Sequence, residues 1–438
     1  MLSKKVLYLK LACIFWHKLK ASVRSINNCG PGLFVFVVLL LFTGCSCKNP
    51  IQPPADKTLI KGTVTDSLTG QPLAGTVVSL STGLSATTDN NGNYQLTGMG
   101  GGSFTMQYEK YDWRRKSKQV SVAANYTLTV DTMRLDSCRW VVVPLNLSMP
   151  WAAGYLEDVC FVNENEGWAV GSDQSFGYPG YIIRTTDGGY TWEMQFGAQP
   201  IDGWYFHNID FVDNLYGWAI AAADQMKRTT NGGTTWIDIT KPFYGSGWAM
   251  DFIDRNTGWI AQYYGGGGIY KTSDGGNTWI KMAELPDSAL CSMKFLDANR
   301  GWMRSSNKVY ATVDGGNTWT LQMTKPYSGA GQDSKIEVLP PGNIWVEGYH
   351  SRDGGITWSK QNSDTFGVVS AISFCNENYG WMAAKKDVYE FFIHTIDGGQ
   401  TWVKVNPLGN FYYILVIQFL NPYCGWAAGD NDKMLIYK

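Results

Sequence analysis

The chain has 438 residues, enough for two or three folded units, with 17 % charged and 14 % aromatic side chains, 19 Trp and 49 Gly. A chain this aromatic and this sparsely charged fits neither a disordered protein nor a nucleic-acid binder. The formal net charge of −1 hides an asymmetry: residues 1–44 hold six Lys/Arg and no acid, which leaves 30 basic against 37 acidic residues in the rest of the chain. A net acidic surface gives DNA or anionic lipid no electrostatic hold.

Lys4, Lys5, Lys10, Lys18, Lys20 and Arg24 precede the apolar run from Leu33 to Phe42. That run is too short to span a bilayer and suits the core of an export signal. It ends in Phe42-Thr43-Gly44-Cys45, small residues before a cysteine, which resembles a bacterial lipobox with Phe42 in the place of the usual Leu. The resemblance implies that residues 1–44 are a lipoprotein signal peptide and that Cys45 is lipidated. It also implies a location in the cell envelope, anchored by lipid to the outer membrane on one face or the other. An n-region this long predicts a start codon downstream of Met1. Residues 45–56, with Pro50, Pro53 and Pro54, read as a short stiff tether.

Residues 57–136 alternate apolar and polar positions: Leu59, Ile60 and Val64; Val77, Val78 and Leu80; Phe104, Met106 and Tyr108; Val120 and Val122. Turn signals at Thr69-Gly70, Asp89-Asn90-Asn91-Gly92 and Gly100-Gly101-Gly102 separate the runs. The pattern predicts a small β-sandwich. The stretches from Gly62 to Gly75 and from Thr88 to Tyr94 resemble the carboxypeptidase regulatory-like domain. That resemblance implies a transthyretin-like sandwich of seven strands acting as a non-catalytic spacer or interaction module. Arg114, Arg115, Lys116 and Lys118 cluster beside Tyr111 and Trp113, as a solvated hairpin or a binding patch.

Internal repeats decide the remainder, residues 137–438. Six copies place a Trp five residues after an acid or amide, beginning at Asp187, Asn231, Asp274, Asp314, Asp353 and Asp397, with spacings of 44, 43, 40, 39 and 44. A Gly-Trp pair precedes each copy, with Trp168, Trp218, Trp259, Trp302, Trp381 and a final Trp426; the fifth departs as Asn343-Ile344-Trp345. About forty residues holding four short strands make a β-propeller blade. The Gly-Gly of each copy supplies positive φ, the acid accepts N–H groups of its own turn, and the Trp of the copy is expected to pack between blades. The chain stops after Leu435-Ile436-Tyr437-Lys438, where other blades enter their turn, whereas Cys138-Arg139-Trp140-Val141-Val142 looks like an outermost strand with no blade before it. The expected fold is therefore all-β: a sandwich, then seven blades closed by the N-terminal strand of the array.

The copies resemble Asp boxes, shared by sialidases, sortilin-type receptors, some glucanases and photosystem II assembly factors of the Ycf48 type. The Gly-Trp before each box, as in Asn165-Glu166-Gly167-Trp168-Ala169-Val170-Gly171, is most similar to the Ycf48-like repeat. This resemblance implies a non-enzymatic scaffold that binds a protein partner.

Catalytic patterns are sparse. Only His207, His350 and His394 lie beyond the leader, none of the nine cysteines forms a CxxC pair, and no spacing suggests a metal or a cofactor. Cys160, Cys291 and Cys375 read as small buried hydrophobes, and disulfide pairing is left open. A glycosidase needs two carboxylates about one bond, for which Asp210, Asp251 and Glu347 are the acids not explained by a box turn.

Three residues before each box acid stand Arg184, Arg228, Lys271, Ala311, His350 and His394, with Lys438 in the equivalent last place. On a propeller these positions share one radius, so the basic members form a circle of positive potential suited to carboxylates, or they pair with acids blade by blade. A second candidate surface is aromatic: Tyr178, Trp204, Tyr205, Phe206, Tyr244, Trp248, Tyr263, Tyr264, Tyr327, Tyr349 and Phe411-Tyr412-Tyr413 lie outside the Trp repeat. The expected function is a non-catalytic envelope scaffold with a protein partner; the alternative is a glycan-binding or glycan-cleaving propeller that uses pore acids. No nucleic-acid partner is expected, and oligomeric state is open.

Overall fold

The computed structural model describes residues 58–145, 154–173, 180–197, 205–221, 225–263, 266–287, 289–325, 335–361, 366–386, 390–405, 411, 413–429 and 433–438. The leader, Cys45 and the tether lie outside the described residues, as do Tyr178, Trp204, Tyr264, Tyr327 and Tyr412. Among the described residues every regular element is a β-strand.

The first unit is a sandwich of two four-stranded sheets. One joins Leu59–Asp66 to Asn93–Thr97 on one side and to Thr127–Thr129 and Met133–Leu135 on the other. The second runs Ser85–Thr87, Val77–Leu80, Gly102–Lys110 and Trp113–Val122. The two segments after residue 126 both pair in parallel with Leu59–Asp66, so eight short strands occupy seven strand places. Alternation buries Ile60, Val64, Val78, Leu80, Phe104, Met106 and Tyr108. Val77, read from sequence as part of the apolar set, instead faces solvent at 41 % exposure, because Val78 and Leu80 take the inward phase of that strand. Tyr94 and Tyr108 carry polar tips into this core and satisfy each other, hydroxyl to hydroxyl at 3.0 Å. At the Asp89 turn the carboxylate accepts the N–H groups of Asn91 and Asn93, at 2.9 and 2.8 Å.

The described residues from 140 to 438 form seven antiparallel four-stranded sheets. Six take their strands consecutively, the first being Gly154–Phe161, Gly167–Asp173, Gly180–Thr185 and Glu193–Gly197. The seventh consists of Ile414–Asn421, Cys424–Gly429 and Lys433–Tyr437, with Trp140–Pro144 as its outer strand. That strand pairs in register from Tyr437 opposite Trp140 to Lys433 opposite Pro144.

Neighbouring sheets meet through one recurring contact. Except at Trp302, the indole of this repeat lies face to face with a Phe at the end of the next sheet's first strand: Trp168 on Phe211, Trp218 on Phe252, Trp259 on Phe295, Trp345 on Phe374 and Trp381 on Phe419. Trp426 of the seventh sheet stacks on Phe161 of the first, with centroids 3.6 Å apart and rings within 5° of parallel. The same Phe meets the Trp of its own sheet's box edge-on, as in Phe161 with Trp192 at 83°. The box Trp packs between sheets as expected, in one cluster with the preceding sheet's indole, as Trp192 does with Trp426 and Trp402 with Trp345. The box Trp sits immediately before the outer strand and meets its own sheet's Phe by the ring edge.

Glycine precedes the indole for a steric reason. A Cβ on Gly167 would come within 2.4 Å of the Phe161 ring, and Gly217, Gly258, Gly301, Gly380 and Gly425 repeat this to within a few tenths of an ångström. In the fifth sheet Val338 replaces the Phe, and the facing residue, Ile344, is no longer Gly. Both are buried in one cluster with Trp302.

Candidate functional site: the central cavity and the box turns

Each box turn is closed by its own polar groups. In the first, Thr191 donates its N–H and its hydroxyl to the two oxygens of Asp187, at 2.9 and 2.6 Å. Thr185 donates to the same carboxylate at 2.8 Å and accepts the N–H of Gly189. Gly188 and Gly189 hold φ of 78° and 94°, a region closed to most side chains. Asp274, Asp314, Asp353 and Asp397 repeat the arrangement, and Asn231 reproduces it with its amide, Oδ1 accepting from Thr235 N–H and Nδ2 donating to the Thr235 hydroxyl. Hydrogen bonds of this kind hold the carboxyls of Asp274, Asp314 and Asp353 down at about 2.

The residues of the basic circle stand at equivalent places and are engaged by their surroundings. Arg184 pairs with Glu166 at 3.0 Å, and Arg228 donates to the Gly275 carbonyl of the next sheet's box at 3.0 Å. Lys271 reaches the Ala298 carbonyl at 3.3 Å, and Lys438 the Glu164 carbonyl at 3.2 Å. Arg184, Lys271 and Lys438 lie over the indoles of Trp168, Trp259 and Trp426. His350 and His394 stack on Trp345 and Trp381 in the same manner. Burial lowers both imidazoles, His350 to about 4, so at neutral pH neither adds charge to the circle. The cations of this set are thus four, and one of them, Arg184, is paired with an acid.

The first strands of all seven sheets line a central cavity of about 270 Å³. The residue before each stacking Phe or its equivalent faces this space: Cys160, Asp210, Asp251, Lys294, Glu337, Ser373 and Gln418. Several of these side chains tie one sheet to the next. Asp210 accepts the N–H of Phe252 at 2.7 Å, Asp251 that of Phe295 at 2.6 Å, and Ser373 that of Phe419 at 3.0 Å. Gln418 bonds both N–H and carbonyl of Phe161, linking the seventh sheet to the first.

Two lysines neutralise part of this acidity: Lys294 meets Asp251 at 2.5 Å, and Lys335 meets the buried Asp158 at 2.5 Å. Enclosure in the cavity pushes Asp210 up to about 6 and Glu337 up to about 7, against the pull of these lysines. Glu347, expected from sequence among the pore acids, lies elsewhere: it is buried between Arg304 at 2.7 Å and Lys325 at 2.6 Å. The cavity role of Lys294, Lys335 and Glu337 was missed from sequence. Their position one before the stacking residue, or three before it for Lys335, was the available signal.

The aromatic surface divides. Phe206, Tyr263 and Phe411 are buried, whereas Tyr244 is 86 % exposed and Tyr413 48 %. His207 lies between Tyr205 and Trp248, with centroids at 4.4 and 4.5 Å. Among the described residues there is no disulfide, and no cluster of His, Cys, Asp and Glu is suited to a metal.

Likeness to known proteins divides the chain at the same place. Residues 59–136 match the family model of the carboxypeptidase regulatory-like domain, and residues 132–289 match that of the photosynthesis system II assembly factor YCF48. No curated protein sequence matches the chain. Among solved structures, YCF48 bound to D1 peptide superposes with a TM-score of 0.54 at 22 % identity, over 68 % of this chain and 94 % of that one. YCF48 from Cyanidioschyzon merolae gives 0.53 at 22 % identity, over 68 % and 98 %. The extracellular domain of a hybrid two-component system from B. thetaiotaomicron gives 0.50 at 11 % identity, over 68 % of this chain and 40 % of its own. At such identities the likeness speaks for the fold. By these matches the chain joins a segment of carboxypeptidase regulatory-like type to a propeller region of Ycf48 type.

Proposed function

We propose that this protein is a non-catalytic, lipid-anchored scaffold of the cell envelope that binds a protein partner through its propeller. In this reading Cys45 carries the lipid, residues 45–56 are the tether and residues 57–136 the spacer. Residues 137–438 are seven blades closed into a ring by Trp140–Pro144. The match of residues 132–289 to the Ycf48 assembly factor carries the proposal, and a Ycf48 relative has been solved with a bound peptide. The cavity chemistry is consistent with it: Asp158 and Asp251 are paired with lysines, and Asp210 is tied to the neighbouring backbone.

The test is capture from envelope extract by the full-length chain in detergent, with a glycan array in parallel. A defined partner, rebinding in purified form, is the expected result. Replacing Arg184, Arg228 and Lys271 with Gln assigns recognition to the basic circle if the partner is lost while the melting point holds. The second reading, glycan binding or cleavage, draws on the raised carboxyls of Asp210 and Glu337, which suit proton donation near neutral pH. Glycan binding without a protein partner would replace the scaffold proposal with that reading.

A further inference from the structure

A second cleft, of about 450 Å³, lies where the sandwich meets the repeat sheets. One wall is the strand Trp113–Val122, the last of its sheet, which contributes Arg114, Arg115 and Lys116. The other wall contributes Lys438, Glu164 and Asn421. The cations are not equally engaged. Arg115 pairs with Glu109 at 2.8 Å and Lys116 with Asp136 at 3.1 Å. Lys438 donates to a neutral carbonyl, that of Glu164, rather than to a carboxylate. The Arg114 side chain is exposed, and among the described residues its guanidinium has no hydrogen-bond or ion-pair partner. Arg114, within electrostatic reach of Asp136, and Lys438 thus face one recess lined by four cations and one acid, on a chain whose residues after 44 carry seven more acids than bases.

We infer that this cleft binds an extended acidic peptide segment of the protein partner, an inference that rests on the scaffold reading. Carboxylates of the peptide meet Arg114 and Lys438, where a planar guanidinium offers paired donors. The Glu164 carboxylate, which accepts from Asn421 at 2.9 Å, is placed to accept a peptide N–H as well. Along this wall the Arg114 N–H is already taken by the Asp136 carbonyl, so the peptide is held by side chains. The site is composite: neither module forms it alone.

The experiment is fluorescence anisotropy of the full-length chain in neutral detergent, with a short labelled peptide alternating Glu and Ser. A Lys/Ser peptide of equal length is the control. The acidic peptide should bind in a salt-sensitive manner, and Arg114→Glu should weaken it by about tenfold or more. Lys118→Glu, on the same strand outside the cleft, should not. Arg114→Gln gives a second variant without charge reversal and should weaken binding to a lesser degree. Equal affinity in wild type and both Arg114 variants overturns the inference, as does equal binding of the two peptides. Displacement of the peptide by phosphatidylglycerol-doped micelles at the same cleft also overturns it, by making lipid the occupant. An envelope partner still captured by the Arg114→Glu variant leaves the scaffold reading standing and removes only the cleft. Absence of any partner for wild type removes the scaffold reading itself.

Discussion

His350 occupies the place that Arg184 and Lys271 hold in other sheets, its ring 4.4 Å from that of Trp345 and 9° from parallel. Stacking on an indole recurs at this position, and a neutral ring achieves it as well as a cation does. Burial, helped by the charge of Arg352, lowers this imidazole from 6.5 to about 4. Below pH 6.5 the unfolded chain takes up a proton that the folded chain refuses, so stability is lost as pH falls from 6.5 toward 4. Glu337 acts in the opposite sense: raised from 4.5 to about 7, it contributes stability below pH 4.5 that is lost as pH rises through 7. His350→Phe keeps a ring against Trp345 and removes the proton. Thermal melts at pH 7 and pH 4.5 should show a drop smaller than that of wild type by about 2 °C or more. Parallel drops would mean that His350 is protonated in the folded protein.

The fifth sheet shows how one substitution in the repeat unit brings another. Val338 stands where six sheets have Phe, and Ile344 stands where those sheets have Gly. The two face each other across the strand pair, as Phe161 faces Gly167. Installing the ring by Val338→Phe should overpack the site by about 1–3 kcal/mol. Ile344→Gly alone should open a cavity and cost roughly 2–5 kcal/mol. The double variant rebuilds the pair used elsewhere, so its cost should fall below the sum of the two by about 1–3 kcal/mol, read by chemical denaturation. Simple additivity would show that the pairing of Phe with Gly is not a packing unit. The repeat, its period and its departure at Trp345 were all legible in the sequence, because turn glycines and indoles recur at fixed spacing. The partner of that departure was not, since Val338 and Ile344 become neighbours only once the strands are in register. The engagement of Arg184, Arg228 and Lys271 was hidden for a similar reason: their acceptors are backbone carbonyls or acids across a turn, and a carbonyl has no sequence identity to read.

Asp112 joins the two units of the molecule. It sits in the turn between Gly102–Lys110 and Trp113–Val122 with φ of 63°, and its Oδ1 accepts both the Tyr379 hydroxyl at 3.0 Å and the Tyr437 hydroxyl at 2.8 Å. Its carbonyl accepts the N–H of Cys138 at 2.6 Å, and the adjacent Tyr111 stacks on Tyr379, 7° from parallel. One turn of the sandwich is thereby fastened to the sixth and seventh sheets at once. Asp112→Ala leaves two buried phenols without their acceptor, at about 1–3 kcal/mol each, and places a Cβ-bearing residue with no local hydrogen bond at positive φ. Asp112→Asn retains an oxygen acceptor and tolerates that backbone, so it separates the hydrogen bonds from the charge. In the wild type the sandwich and the sheets should unfold in one calorimetric transition, and the Asn variant should stay close to it. The Ala variant should show the sandwich melting apart from the sheets, with a larger radius of gyration by solution scattering. A single transition and unchanged radius in the Ala variant would mean that the stacked tyrosines and the Cys138 bond suffice to hold the joint. The carboxylate would then be a local feature of the turn.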